Sequence, residues 1–339
     1  MNAHAPVVSP PLVDPFGRAI TYVRVSVTDR CDFRCLYCMS EDMNFLPKRD
    51  VLSLEELDRL CSAFVRLGTR KLRVTGGEPL VRRGIMTLFR SLSRHLTSGA
   101  LDDLTLTTNG SQLARFAAEL ADCGVKRVNV SMDTLDPVKF RAVTRWGELG
   151  TVMAGLDAAD KAGMKVKINA VALKGFNDVE AISLIEWAHD RGYDLTFIEV
   201  MPLDGQALWD RSQVFTMDEI LAVLRRDVGP LEAMPEADPR APGLRFRYLD
   251  GRGTAGFIAS VSRPFCLNCN RVRLTADGKL RYCLFAIEET DVQALLRSGA
   301  SDGQIAEAIR ETVRKKWLGH EINTARFVAP PRAMYAIGG

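Results

Sequence analysis

Three cysteines within eight residues form the clearest chemical motif of the chain. Cys31, Cys35 and Cys38 follow the spacing C-x3-C-x2-C. A structural zinc ion takes four ligands, and a four-iron cluster normally takes four cysteines, one for each iron. Three local cysteines would therefore leave one iron open, and an open coordination site is where a metal centre can do chemistry. The alternatives are a Cys3His zinc site and three unrelated buried thiols, although none of the four histidines lies at zinc-finger spacing.

A second group of three cysteines lies near the other end of the chain. Cys266, Cys269 and Cys283 have the spacing C-x2-C-x13-C, with no further cysteine or histidine close by in sequence. The two remaining cysteines, Cys61 and Cys123, fall on the apolar stripes of predicted helices and are expected to be core thiols. The other six divide into two triads, each one ligand short of saturating a four-iron cluster. For the second triad, the alternative is a zinc ion completed by a distant ligand.

The composition is that of an ordinary globular chain. Of the 339 residues 47% are apolar, and the formal net charge is +3. This balance does not indicate a nucleic-acid or membrane partner, and no apolar run approaches the ~20 residues of a membrane helix. Residues 1–15 are Pro-rich and lack the features of a signal peptide, so we expect a flexible leader and a cytoplasmic protein. In that reducing compartment, eight cysteines favour metal sites over disulfides.

Short apolar strands alternate with amphipathic helices from residue 20 to about residue 225. Six strands are predicted, at 20–28, 71–75, 103–108, 127–131, 165–172 and 195–201. Helices are predicted between them, from the capping box of Ser53 and Glu56 to Gly68, and at 112–123, 151–162 and 178–190. Six β/α units in series imply a parallel sheet with right-handed crossovers. Because a closed barrel has eight such units, we expect an α/β fold with an incomplete, partial parallel barrel, with a flat doubly wound sheet as the alternative.

The predicted strands have one apolar and one polar face. The apolar faces, such as Val23 and Val25 in the first strand, should pack against the helices. The opposite faces are polar and cationic, and their members are Arg24, Ser26, Thr28, Arg73, Thr75, Thr105, Thr107, Asn129, Ser131, Lys167, Asn169, Glu199 and Met201. A closed barrel normally has a branched apolar interior, and a polar interior is unfavourable unless a ligand or water satisfies it. We therefore predict a cavity for a large anionic ligand at the carboxyl ends of the strands, unless some strands turn these residues to solvent.

The pattern changes after a Pro- and Gly-rich stretch at 229–243, which we interpret as a linker or surface loop. Beyond it we predict short hairpin strands and two helices, near 289–297 and 303–315. The segment 251–256 spells G-x-G-x-x-G, but a strand follows it where a dinucleotide site needs a helix, so we interpret it as a hairpin turn. Arg271 and Arg273 follow the second C-x2-C pair and project to one side of an extended segment, which suits a phosphate-bearing ligand.

Two motifs connect the chain to a known superfamily. The C-x3-C-x2-C spacing with Tyr37 before its last cysteine, and the Gly-Gly-Glu-Pro segment at 76–79, resemble the radical S-adenosylmethionine (SAM) enzymes. In those enzymes SAM chelates the fourth iron of the cluster and is cleaved to methionine and a 5′-deoxyadenosyl radical. The resemblance therefore implies that the first triad holds a radical-generating cluster.

The two triads together indicate one particular family within this superfamily. From Phe16 to its end, the chain is similar to the GTP 3′,8-cyclase family of molybdenum cofactor biosynthesis, also called molybdenum cofactor biosynthesis protein A. The shared features are the six cysteines, a TTNG segment at 107–110, the R-x-R after the second C-x2-C pair, and a double-glycine tail. The resemblance implies a radical SAM partial barrel at 16–235, closed by a smaller α+β C-terminal region at 236–339.

The same resemblance implies cofactors and assigns residues to them. Cys31, Cys35 and Cys38 would hold one [4Fe-4S] cluster, and Cys266, Cys269 and Cys283 a second one that binds the guanine of GTP at its open iron. The implied SAM contacts are Tyr37, Gly77, Ser131 and Met201. The implied GTP contacts are Arg24, Arg73, Thr107, Lys167, Arg271, Val272 and Arg273. Gly338 and Gly339 would form a slim anionic tail suited to a pocket lined by arginines, with a frayed end as the alternative.

The implied activity is that of a lyase that converts GTP to 3′,8-cyclo-7,8-dihydroguanosine 5′-triphosphate. The deoxyadenosyl radical would take the hydrogen from ribose C3′, and the carbon radical would attack C8 of the guanine. Implied partners are GTP, a second copy of the chain in a homodimer, a flavodoxin- or ferredoxin-type reductant and the downstream pyranopterin-forming synthase, with no nucleic acid and no membrane.

Three other functions remain open at this point. One is a peptide- or RNA-modifying radical SAM enzyme with an auxiliary cluster, although peptide-modifying enzymes usually have more cysteines in this region. Another is a two-cluster electron carrier, but carriers are usually small and saturate their irons with cysteine. The third is a zinc-stapled nucleic-acid-binding module, which would need a basic, aromatic-rich face, whereas only 7% of the residues are aromatic.

Overall fold

A computed structural model describes residues 11–204, 208–235, 238 and 240–339. Its centre is six strands in chain order: β1 (Tyr22–Ser26), β2 (Lys71–Thr75), β3 (Asp103–Thr108), β4 (Arg127–Ser131), β5 (Lys165–Ala172) and β6 (Asp194–Glu199). Each of them pairs in parallel with the next. The predicted parallel core is thereby confirmed, and β2 to β5 have the predicted bounds. β1 is shorter than predicted at both ends, and β6 begins one residue earlier and ends before the predicted position.

The C-terminal region continues this sheet at both edges. At one edge β10 (Arg271–Leu274) pairs in parallel with β1 and leads into the antiparallel strands β11 (Lys279–Arg281) and β12 (Thr290–Asp291). At the other edge β9 (Thr254–Ile258) pairs in parallel with β6, followed by the antiparallel strands β8 (Leu244–Tyr248) and β7 (Leu231–Ala233). The described residues form one twelve-stranded sheet. The hairpin turn predicted at 251–256 is confirmed between β8 and β9, but it ends before Thr254, because residues 254–256 already belong to β9. The predicted linker at 229–243 contains β7.

Helices follow the central strands. In α1 (Leu54–Arg66) the predicted capping box is present: Ser53 Oγ accepts from Glu56 N, and the Glu56 carboxylate accepts from Ser53 N at 2.7 Å. The other predicted helices are α3 (Leu113–Asp122), α5 (Leu149–Lys161), α6 (Ala181–Asp190), α8 (Val292–Arg297) and α9 (Asp302–Arg314). Those that the sequence did not predict are α2 (Ile85–Thr97), α4 (Pro137–Thr144), α7 (Met217–Asp227) and the short α10 (Met334–Ile337). None of the helices in the described ranges is long and apolar enough to span a membrane.

The predicted division of the strand faces is confirmed for the apolar side. Val23, Leu106, Val128 and Ile168 are fully buried in one core between the sheet and the helices. Burial of each such side chain contributes about 1.5–3 kcal/mol. These contacts fix the rotation of the strands, and because side chains alternate, the polar residues between them point to the other side of the sheet.

The first described residues are packed against the sheet. Leu12 is buried, and its N–H donates to Leu67 O at 3.2 Å. The Asp14 carboxylate pairs with Arg18 at 2.5 Å, and Arg18 also donates to Cys266 O at 2.7 Å. The flexible leader predicted for 1–15 is therefore wrong over 12–14, because Leu12 finds an apolar site that only the tertiary structure creates. Residues 1–10 lie outside the described part.

Candidate active site

Both cysteine triads open on one cavity of about 670 Å³. The first triad lies in the loop after β1. In the second, Cys266 and Cys269 precede β10 and Cys283 follows β11, so the pairing of β10 with β1 brings the triads to neighbouring strands. All six thiols are free. The sheet thus joins two sequence-distant groups of metal-binding residues in one chamber.

The loop of the first triad is held by the end of β3. Asn109 Nδ2 donates to Asp32 Oδ1 at 2.7 Å and to Cys31 Sγ at 3.7 Å, and Ser111 Oγ donates to Asp32 Oδ2 at 2.6 Å. Burial raises the pKa of all three thiols, that of Cys38 to about 12. A buried neutral thiol binds a metal by releasing its proton. Three free thiols in one anchored loop fit the ligand set of a cluster.

The glycine pair after β2 packs on the loop of the first triad. Gly77 N donates to Thr28 O at 2.8 Å, and a Cβ on Gly76 would lie 2.7 Å from the same oxygen. The buried Glu78 carboxylate accepts from Asn109 N at 2.7 Å, and burial raises the pKa of Glu78 to about 8. These glycines therefore bring two loops together, while Gly77 also lines the cavity.

A row of arginines crosses the cavity wall. Arg273 on β10, Arg24 on β1 and Arg73 on β2 are register partners on three neighbouring strands, and neighbouring strands lie about 4.8 Å apart. Burial, with repulsion from Arg73 and Arg271, lowers the pKa of Arg24 to about 10. In the part of the chain that the structure describes, neither these three arginines nor Arg271 forms an ion pair with a carboxylate. The row is therefore a concentration of uncompensated positive charge.

The same wall also contains Lys167 and several buried polar atoms that have no hydrogen-bond partner among the described residues. Lys167 on β5 is the register partner of Asn129 on β4, and burial lowers the pKa of Lys167 to about 8. Buried atoms without a hydrogen-bond partner among the described residues include Arg24 Nε, Arg73 Nε, Arg271 Nη2, Asn129 Oδ1 and Asn169 Oδ1. Such atoms are unfavourable unless a ligand satisfies them. The wall therefore fits a large polar anion.

The other predicted site residues are spread along the same cavity. Thr107 and Ser131 line it near the ends of β3 and β4, and Met201 lines it just after β6. Tyr37 also lines it, and its hydroxyl donates to the buried Asp133 carboxylate at 2.7 Å. The structure thus brings the predicted SAM and GTP residues of the six central strands to one chamber.

Two predicted positions, Val272 and Glu199, differ from the expectation, because their side chains make contacts within the protein. The Val272 side chain is fully buried in the apolar core, and Val272 is not among the residues that line the cavity. Glu199 lies on the cavity wall, but its carboxylate accepts from Val261 N at 2.8 Å and Ser262 N at 2.7 Å. Glu199 therefore joins β6 to the segment after β9.

The double-glycine tail enters the same cavity. Gly338 O accepts from Arg273 Nη1 at 2.6 Å, and Gly339 lines the cavity. Gly338 has φ 87°, and a Cβ there would lie 2.7 Å from Thr75 Oγ1 and 2.9 Å from Ser26 Cβ. Only glycine fits this place between the ends of β1 and β2.

Arg332 anchors the tail and was not identified from the sequence, where it looks like an ordinary surface arginine. Its Nη2 lies 2.7 Å from Asp277 Oδ2 in the turn after β10, and its Nε lies 2.8 Å from Glu289 Oε1. Glu289 also pairs with Arg281, which is fully buried. Two carboxylates therefore fix the chain just before the tail enters the cavity.

Arg332→Gln is expected to loosen this tail. Loss of a half-buried double ion pair costs about 2 kcal/mol, which corresponds to about 30-fold faster opening of the docked segment. Hydrogen–deuterium exchange at Met334 and Gly338, whose N–H groups donate to Leu203 O and Met334 O, measures this opening. Arg326→Gln is the control, because Arg326 forms an exposed pair with Glu321. Equal exchange in both variants would show that Arg332 does not hold the tail.

Two family models match consecutive parts of the chain. The Radical SAM superfamily matches residues 25–188, and the Molybdenum Cofactor Synthesis C family matches residues 193–322. The first match begins within β1 and extends through β5, and it includes the first triad. The second covers β6 to β12 and the second triad.

Known relatives and solved structures agree with these matches. The GTP 3′,8-cyclases of Brucella canis and Brucella ovis are each 56% identical over 321 residues, covering 93% of this chain and 92% of theirs. The structure of Streptococcus suis SuiB bound to precursor peptide SuiA has a TM-score of 0.60 at 14% identity, covering 94% of this chain and 76% of that one. SuiB bound to S-adenosylmethionine gives a TM-score of 0.57 at 16% identity, with 92% and 76% covered. At that identity the SuiB structures show the fold alone, and the fold with the close relatives shows that this chain belongs to the GTP 3′,8-cyclase family of radical SAM proteins.

Proposed function

We propose that this chain converts GTP to 3′,8-cyclo-7,8-dihydroguanosine 5′-triphosphate, an early step of molybdenum cofactor biosynthesis. One observation carries the proposal: five cations without carboxylate partners in the described structure line a cavity shared by two cysteine triads. These cations are Arg24, Arg73, Lys167, Arg271 and Arg273. A nucleoside triphosphate supplies the negative charge that this wall lacks, and a purine supplies nitrogen and oxygen ligands for an open iron.

The first triad would hold a [4Fe-4S] cluster, with SAM on the open iron. Tyr37, Gly77, Ser131 and Met201 would contact SAM, and all four line the cavity that the first triad also lines. When bound and reduced by one electron, the cluster and SAM would supply the 5′-deoxyadenosyl radical needed to take the hydrogen atom from C3′ of the ribose. The anchored loop around Asn109 and Asp32 keeps the three thiols in place for this ligation.

The second triad would hold another [4Fe-4S] cluster, whose open iron takes the guanine. Arg271 and Arg273 lie on β10, between Cys269 and Cys283 of this triad, and both line the cavity. Guanidinium groups bind phosphate through paired hydrogen bonds. The nucleotide would then span the cavity, with its purine at the second triad and its phosphates at the arginine row.

The protein's part in the reaction is to position and shield. One hydrogen atom leaves C3′, a bond forms between C3′ and C8, and one electron and one proton then complete the dihydro product. Both reacting carbons belong to one substrate, so holding them close removes most of the entropic barrier. Thr107 and Lys167 would hold the sugar and phosphates from β3 and β5, next to the arginine row, and the docked tail reduces the space open to water.

The proposal extends to organisation and partners. We assign the radical-generating core to 16–235 and the second cluster to 236–339, although strands of both share one sheet. The family resemblance supports a homodimer, a flavodoxin- or ferredoxin-type reductant, and a pyranopterin-forming synthase that takes the product. The mass of the purified protein by light scattering tests the homodimer directly.

The decisive experiment is anaerobic incubation of the reconstituted protein with SAM, dithionite and one nucleotide at a time. We expect 5′-deoxyadenosine and a product of the same mass as the substrate with GTP, but little of either with ATP or CTP. Since cyclisation is an isomerisation, equal mass with a changed absorption spectrum identifies the product. Equal 5′-deoxyadenosine formation without any nucleotide, and no altered GTP, would refute the proposed reaction.

A further inference from the structure

A buried lysine lies directly behind the second cysteine triad. Lys316 follows α9 and is only 4% exposed. Its Nζ donates to Tyr282 O at 2.6 Å, to Arg271 O at 2.9 Å and to Cys269 Sγ at 3.6 Å. An ammonium group has three donors, and these three contacts use all of them. The lysine is thus fully hydrogen-bonded, and it lies outside the cavity wall.

The charge of Lys316 has no carboxylate to balance it. Among residues 11–204, 208–235, 238 and 240–339, no Asp or Glu forms an ion pair with its Nζ. Burial of an ammonium group is unfavourable by several kcal/mol unless a negative group compensates it. Both carbonyl oxygens are neutral, so among the three described atoms that contact Nζ only Cys269 Sγ would carry negative charge, once it binds a metal. A cluster bound by three thiolates adds further negative charge at the same place.

The turn after Lys316 reinforces this arrangement. Trp317 packs edge-on against the Tyr282 ring at 5.4 Å, which fixes the end of α9 beside the segment that carries Cys283. Gly319 passes so close to Cys266 that an added Cβ would lie 3.0 Å from the Cys266 Cβ. One short segment therefore contacts Cys269, Cys266 and the residue before Cys283.

We propose that Lys316 is the counter-charge of the second cluster, and that it raises the reduction potential of that cluster while holding its cysteine segments together. Net charge and hydrogen bonds to the cysteine sulfurs set the potential of an iron–sulfur cluster. A fixed cation close to one cysteine sulfur favours the state with one more electron. Lys316 acts through Cys269, so it is a positioning residue. The inference rests on the proposed second cluster.

The test is a redox titration of the second cluster alone. In full-length protein carrying Cys31→Ala, the first triad is disabled, and dithionite titration followed by electron paramagnetic resonance reports the remaining cluster. Adding Lys316→Met is expected to lower the ratio of reduced to oxidised cluster at least tenfold at fixed potential, about 59 mV for one electron. Lys316→Arg, which keeps the charge, should stay within a factor of about three of the parent.

Lys315→Met is the matched control, because Lys315 is the neighbouring lysine, is exposed, and pairs with Glu288. It should leave the potential unchanged. If Lys316→Met loses the cluster while Lys316→Arg retains it, the charge requirement at this position is equally supported. An unchanged potential in Lys316→Met, or equal loss of the cluster in the Met and Arg variants, overturns the inference. A parent protein with zinc and no iron at the second triad would instead refute the second cluster itself.

Discussion

Replacing Cys31 with alanine is expected to lower the iron content of the anaerobically reconstituted protein from about eight to about four irons per chain. SAM cleavage should disappear with them, because the first triad supplies the only predicted site for SAM. The loss is large because each triad has three ligands and no spare cysteine nearby. Iron analysis and 5′-deoxyadenosine formation measure the two effects.

Cys266→Ala is the complementary variant and should separate the two triads. It is expected to lose the other half of the iron and GTP cyclisation, while SAM cleavage stays detectable. Cys61→Ala is the control, since Cys61 is fully buried in the core on α1 and belongs to neither triad. It should keep full iron content with a modest loss of stability. An iron content near four with one zinc in the unaltered protein would contradict the two-cluster site.

The second large effect is expected at Arg24, the middle of the arginine row. Arg24→Gln should weaken GTP binding about 10- to 100-fold, because a hydrogen bond to a charged group contributes about 1.5–3 kcal/mol. The same change should raise the melting temperature of the ligand-free protein. The reason is that Arg24 is a half-buried cation beside Arg73 and Arg273, and no carboxylate of the described chain pairs with it.

Weaker GTP binding together with a higher melting temperature would identify Arg24 as a binding residue, because loss of a structural residue lowers the melting temperature. Equilibrium dialysis with GTP and thermal unfolding without nucleotide give the two measurements. Arg141→Gln is the control, because Arg141 forms an exposed pair with Glu148, and its loss should change stability by no more than about 0.5 kcal/mol. Lower stability of Arg24→Gln with unchanged GTP affinity would mean that the row serves the fold and that the nucleotide lies elsewhere.

Local sequence patterns were sufficient to predict the central strands of the fold. The alternation of β2 to β5 predicted both their bounds and the face that carries Arg73, Thr107 and Lys167. The capping box of Ser53 predicted the start of α1. By contrast α2 begins after Gly84, which has no capping side chain, so its start has no local signal.

The contacts between distant parts of the chain could not be predicted in this way. The register of β10 against β1 places Arg273 beside Arg24, but parallel pairing leaves no signature in either segment. Arg332 and Lys316 look like surface residues in sequence, and only tertiary packing gives them carboxylate or carbonyl partners. Tyr22 also lines the cavity, but it was not predicted as a site residue. It lies two residues before Arg24 on β1 and therefore on the same face, so the alternation of side chains could have identified it.

The parallel pairing of β1 with β10 has a consequence for biosynthesis. β1 leaves the ribosome long before β10, because all the strands from β2 to β9 are made between them. One edge of β1 must therefore stay unsatisfied while those strands are made, and open strand edges are sites of aggregation. Newly made chains should depend on chaperones until β10 emerges, and the shared chamber is complete only after β10 has paired with β1.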